Sequence, residues 1–151
     1  MPLGEGDVDA KTPFEPDERL FRRVKSDELI DGEVLPVSLN SMSFKKDEKG
    51  APSVLREHFA TAIDALHPDC GGNADYRVYS LRVRDVPVCV ADDQNAVYDF
   101  FPCHEPEVKC GAHSVISCCA SGDEAKAYVV PSKKARAKFR AMLAVLFSRE
   151  L

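Results

Sequence analysis

An α+β fold is expected: a small, mostly antiparallel sheet of about five strands, packed against a C-terminal amphipathic helix and one shorter helix. Three observations predict it. Short runs rich in β-branched and aromatic residues follow one another between residues 76 and 130, with turn signals between them. The C-terminal segment carries an apolar stripe at helical spacing behind a Pro131-Ser132 start signal. The 151 residues, 44% of them apolar, suit one ordinary domain with a tail.

Residues 1–18 set six acidic side chains against Lys11, and Pro2, Pro13 and Pro16 interrupt any regular element. So little apolar content does not offset the entropy of ordering, so a flexible acidic tail is expected, followed by a single α+β domain over 19–151. The folded part begins near Leu20, where Leu20, Phe21 and Val24 stand among Arg22, Arg23 and Lys25 as a short strand or one helical turn. Asp31-Gly32 is a turn signal. Val34, Leu35, Val37 and Leu39 follow, with Pro36 restricting that stretch to an edge strand or an extended loop. Residues 44–50 read as a polar turn.

Residues 53–67 are open between two readings. Leu55, Phe59, Ala62, Ile63 and Leu66 recur at helical spacing, with Ser53 as a cap. The alternative is a short strand at Val54-Leu55 and a shorter helix near 58–67 capped by Thr61. Pro68 ends the segment in either case. Residues 76–83 alternate, with Tyr79, Leu81 and Val83 expected toward the core. Residues 88–91, 96–101, 113–119 and 126–130 are the further strands. In the last helix, over 131–149, Ala135, Phe139, Met142, Leu143 and Leu146 form the apolar stripe. Phe139 and Leu146, seven apart, are both expected to be buried.

A net charge of −5 argues against coating nucleic acid by bulk charge. The longest apolar run, 141–147, is too short for the ~20 residues of a membrane span. The N-terminus is acidic and lacks the apolar segment of a secretory signal, so a cytoplasmic location without membrane contact is expected. Free thiols are then the default for the six cysteines. The sequence has no P-loop, no G-x-G-x-x-G, no G-x-S-x-G elbow and no C-x-x-C.

One stretch concentrates soft ligands: P-C-H-E-P-E-V-K-C-G-A-H, residues 102–113. Cys103, His104, Cys110 and His113 are the candidate site residues, with Glu105 and Glu107 between them. Cys110 and His113 stand in C-x-x-H spacing, which converges on one ion in zinc sites. The same residues also make a thiol nucleophile with a histidine base. No cofactor other than zinc is suggested. Lys133, Lys134, Arg136, Lys138 and Arg140 crowd the first turns of the last helix, against its dipole. An acidic neighbour, the acidic tail or an anionic partner such as nucleic acid would offset them.

The order of segments resembles a group of small uncharacterised bacterial proteins. The residues that carry the likeness are Phe21-Arg22-Arg23-Val24, Asp31-Gly32-Glu33-Val34, Ser53-Val54-Leu55-Arg56 and Gly111-Ala112-His113. The group's usual Pro before the histidine is Gly111 here. The resemblance brings no activity with it. It implies a bacterial cytoplasmic protein, draws attention to His113 and Arg56, and favours a strand at S-V-L-R. The expected function is a cytoplasmic accessory or protein-interaction domain. The alternatives are a small Cys/His- or metal-dependent hydrolase using the 103–113 loop, and nucleic-acid binding through the basic helix.

Overall fold

Among the described residues, turn chemistry and β-rich runs produce seven strands in one sheet. The computed structural model describes residues 3–9, 11–31, 33–34, 39, 44–45 and 51–151. The strands are β1 (Arg19–Val24), β2 (Ser53–Arg56), β3 (Arg77–Arg82), β4 (Val90–Ala91), β5 (Val97–His104), β6 (His113–Ala120) and β7 (Ser148–Arg149). One α-helix, α1 (Lys133–Ala144), lies between β6 and β7 in sequence. The order across the sheet is β4-β5-β6-β2-β1-β3-β7, and every pairing is antiparallel. The α+β class is as expected, with two strands more than anticipated.

Register decides which side chains share a face. Leu20 stands opposite Leu81, and Cys118 opposite Phe100. With Val54 and Ile116 they form the face that packs on Ala135, Phe139 and Leu143 of α1. Phe44, Phe100 and Phe139 close this layer, with Phe100 and Phe139 stacked at 4.3 Å between ring centroids. The opposite face holds Phe21, Leu55 and Val78, covered by Ala60, Ala65, Cys70, Cys110 and Ala112. Because both faces are covered, β1, β3 and β6 are buried almost continuously and do not alternate. Tyr79 and Leu81 are buried as expected, but so are Val78 and Ser80 between them.

Several elements differ from expectation. The S-V-L-R segment is a strand, one of the two readings the sequence leaves open, but the shorter helix near 58–67 is replaced by a 3-10 turn, Ala62–Leu66, followed by another at Pro68–Cys70. Residues 126–130 form no strand; Tyr128 makes a lone bridge to Cys119. The last helix stops at Ala144, where Leu146 and Phe147 both donate to the Leu143 carbonyl. The stripe therefore ends early. Phe139 is buried, whereas Leu146 is 38% exposed, which corrects the expectation for that residue. The turn near Asp31 is present: Ile30 and Glu33 exchange backbone hydrogen bonds, and Asp31 has a φ of 52°. Most of 34–39 and 44–50 lies outside the described residues.

The segment read as an acidic tail is engaged through its backbone. Leu3 O accepts from Gly111 N–H, and Glu5 N–H donates to Val108 O. A Cβ on Gly111 would sit 2.4 Å from Gly4 O, so only glycine permits this approach. Arg56, fully buried, donates to the carbonyls of Thr12 and Pro13 and forms a two-pronged ion pair with Glu18 at 2.9 Å. Its guanidinium lies over the Phe14 ring, 4.0 Å from the centroid. These are main-chain acceptors and one carboxylate, which composition cannot distinguish from solvated groups.

At the far edge, β4 pairs only with Tyr98 and Val97 of β5. Pro102 stands opposite Ile116, whose N–H is given to Pro52 on the β2 side. Pro102 therefore turns its ring nitrogen toward the outer side of β5.

Candidate functional site

The face opposite α1 carries a cleft of about 720 Å³. Glu5, Arg23, Ser53, Asp69, Glu105, Glu107 and His113 line it, together with the Cys70–Gly71 turn. Three strands position its central groups. His113 opens β6 opposite Leu55, and Ser53 opens β2 opposite Val115. Ser53 and His113 are thus diagonal neighbours on one face, within side-chain reach. The β1–β2 register, continued two residues from Phe21 and Leu55, brings Arg23 to Ser53.

The hydrogen bonds fix the imidazole. His113 Nδ1 lies 2.7 Å from the Glu105 carbonyl oxygen. A carbonyl only accepts, so Nδ1 carries the proton in the neutral ring. Nε2 is then an acceptor, and Ser53 Oγ stands 3.1 Å away to donate to it. A Glu107 carboxylate oxygen is 3.5 Å from the same nitrogen and faces it as a counter-charge when the ring is protonated. His113 is 9% exposed, so its orientation is held by packing as well. Ser53 is equally fixed: Pro52 O accepts from Ile116 N–H, and Ser53 O accepts from Arg22 Nη1 at 2.7 Å. Burial pushes the Arg22 guanidinium down to about 10, well above neutrality, so it stays cationic. Arg23 donates to the Cys70 carbonyl from Nη1. Burial lowers its pKa, partly countered by Tyr76 and Glu107.

The four expected site residues do not converge. Cys103 and His104 are adjacent on β5 and face opposite ways; Cys103 is exposed. His104 stacks on Phe59 with 5.4 Å between centroids, and its Nδ1 meets Ser114 Oγ at 3.1 Å. Its Nε2 is buried, with no hydrogen-bond partner among the described residues. Cys110 is fully buried in a disulfide with Cys70. That bond leaves no thiolate at Cys110 to ligate a metal or attack a substrate. Only His113 reaches the cleft. Among the described residues, no group of three or more His, Cys, Asp or Glu is placed to hold a metal ion.

The sequence offers Ser53 as a helix cap in one of two readings and Arg23 among the basic residues beside Leu20 and Val24, with no site role for either. No spacing rule joins a serine to a histidine 60 residues away. The F-R-R-V, S-V-L-R and G-A-H segments contribute Arg23, Ser53 and His113 to one cleft.

The basic helix has acidic neighbours. Lys134 and Lys138 both reach Asp93, at 3.3 and 3.5 Å. Ser132 caps the helix by accepting from Ala135 N–H and donates its own hydroxyl proton to Asp92. Asp92 and Asp93 thus supply the negative charge that the helix start lacks in its own first turn. Among the described residues, no helix is long and apolar enough to cross a membrane.

Two stability predictions arise from these groups. The disulfide joins residues 40 apart and ties the Cys70 turn to the loop before His113. Loop-closure entropy gives such a bridge about 4 kcal/mol. Reduction, or a Cys70→Ser/Cys110→Ser double substitution, should lower the melting temperature by roughly 10 °C in a thermal scan. Little change would mean that the bridge adds nothing to the fold.

The His104 imidazole is held below its ordinary value by burial, with Arg56 adding to the effect against Glu18. As pH falls, the unfolded chain takes up this proton before the folded one. The stabilisation is complete above the ordinary histidine value of about 6.5 and is lost as pH falls through the folded value. Stability should therefore decline on acidification below neutrality, and less steeply in His104→Gln. Parallel melting curves for the two proteins would contradict this.

Comparison with protein-family models, with curated proteins and with solved structures finds no match.

Proposed function

We propose that the protein is a small hydrolase of acyl bonds, with Ser53 as nucleophile and His113 as its general base. The observation that carries this reading is the hydrogen bond between Ser53 Oγ and a His113 ring whose other nitrogen is pinned to a main-chain carbonyl. A nucleophile, its base and an orienting group in series are what activation of a hydroxyl requires.

The chemistry balances on these residues. The Ser53 hydroxyl proton passes to His113 Nε2 as Oγ bonds to the acyl carbon. Charge gathers on the former carbonyl oxygen, and Arg23 is the permanently cationic residue among the described residues that line the cleft. The bond to the leaving group breaks, and that group takes the proton from Nε2. Water then gives a proton to Nε2, attacks the acyl carbon and releases the acid, and Ser53 recovers its proton. Glu107 faces the protonated imidazole at each stage.

This reading keeps the hydrolase expectation but moves the nucleophile from the cysteines to Ser53. It is preferred to nucleic-acid contact because Lys134 and Lys138 are already paired within the chain. A fluorophosphonate ester tests it. Intact protein should be labelled at Ser53, as read by peptide mass spectrometry, and His113→Gln should abolish the labelling. Labelling elsewhere, or none, removes the proposal.

An interaction role has one observation of its own. Met142, Val145 and Leu146 expose apolar surface around the end of α1, with Val145 at 83%. Sedimentation of the protein against Val145→Asp reads out self-association through that patch.

A further inference from the structure

We infer that the cleft selects acyl substrates bearing a cationic amine; this rests on the Ser53–His113 hydrolase reading. The cavity and the serine–histidine pair define the site, and the charges around them set its sign. Glu5, Asp69, Glu105 and Glu107 line the cleft, while Arg23 is its one permanent cation among the described lining residues. Lys109 is exposed and outside the lining. With His113 neutral, four acidic residues and one arginine line the cleft, and part of that guanidinium is held by the Cys70 carbonyl.

The carboxylates are not equally committed. Glu107 faces His113, and Asp69 lies 3.7 Å from the His67 ring. Glu105 meets His113 through its backbone oxygen, and its carboxylate has no hydrogen-bond or ion-pair partner among the described residues. Glu5 reaches the cleft because the N-terminal segment is fastened to the loop at Val108 and Gly111. A substrate presenting its carbonyl to Ser53 and an ammonium to Glu105 and Glu5 meets opposite charge at both ends. An anionic substrate meets repulsion from the same rim. The cleft is large enough for such a compound, since small-molecule sites span about 300–1,000 Å³.

The test uses the full chain and three p-nitrophenyl esters of equal chain length: a straight-chain ω-amino acid, the matching alkanoic acid and the matching dicarboxylic acid. Turnover by Ser53→Ala is subtracted as background. The specificity constant should fall in that order, by roughly tenfold or more between the cationic and anionic esters. The ratio should shrink with added salt and in a Glu5→Gln/Glu105→Gln variant, whose substitutions leave the Glu105 carbonyl in place. Ser53-dependent turnover with no charge preference, or with the reverse order, overturns the substrate inference and leaves the hydrolase reading standing. Absence of Ser53-dependent turnover for all three esters, with no fluorophosphonate label on Ser53, overturns both.

Discussion

Ser53→Ala should lower ester turnover by at least about a thousandfold without changing the melting temperature by more than a few degrees. The hydroxyl is small, and among the described residues its loss leaves only the His113 Nε2 contact unmade. The catalytic loss is large because no other hydroxyl meets that nitrogen among the described residues. His113→Gln should cost a similar factor, since an amide cannot take the proton. The double variant should be no worse than either single one, because a nucleophile and its base act as a unit. Steady-state rates with the esters above, paired with thermal scans, decide the matter. Two single variants that each keep a tenth of the wild-type rate would end the Ser53 proposal.

Arg56→Met should be the most damaging single substitution for stability, by about 3–5 kcal/mol. The side chain is fully buried and makes four hydrogen bonds: two to Glu18, and one each to the Thr12 and Pro13 carbonyls. Removing it leaves the Glu18 carboxylate, 7% exposed, without its counter-charge, and two carbonyls without that donor. It also removes the side-chain bonds that hold Thr12 and Pro13, while Pro16 and Glu18 keep their backbone bonds to Arg84 and Val83. Adding Glu18→Gln should recover part of the loss, because the stranded charge is gone. Denaturant midpoints for the single and double variants give the coupling directly. A loss below about 1 kcal/mol for Arg56→Met would mean that Thr12 and Pro13 are not fastened through this residue.

The sheet was legible where strands are long. The runs at 76–83, 96–101 and 113–119 correspond to β3, β5 and β6 because turn residues bound them and β-branched or aromatic residues fill them. β7 was not legible, since two residues carry no period. The 53–67 segment misleads for a different reason. Val54 and Leu55 are buried on opposite faces of a covered sheet, and Phe59, Ala62 and Leu66 pack beside the Leu55 face, so apolar residues recur near helical spacing without a helix. In the site, His113 drew attention through the soft ligands around it. Ser53 and Arg23 are brought there by pairing across the sheet, and the Cys70–Cys110 bridge joins a 3-10 turn to the loop before β6; sequence spacing holds no record of either long-range contact.

The outer side of β5 has a consequence for crowded solution. Beyond Tyr98 this strand has no ladder partner on its outer side among the described residues, an arrangement that ordinarily invites a strand from another molecule and begins aggregation. Pro102 lies within that open stretch with its nitrogen facing outward, so an incoming strand finds one donor missing where it would need a bond. Replacing Pro102 with a β-branched residue would restore the donor and lengthen the template. The proline that does nothing for the cleft is thus a safeguard of solubility, built into the strand that ends beside it.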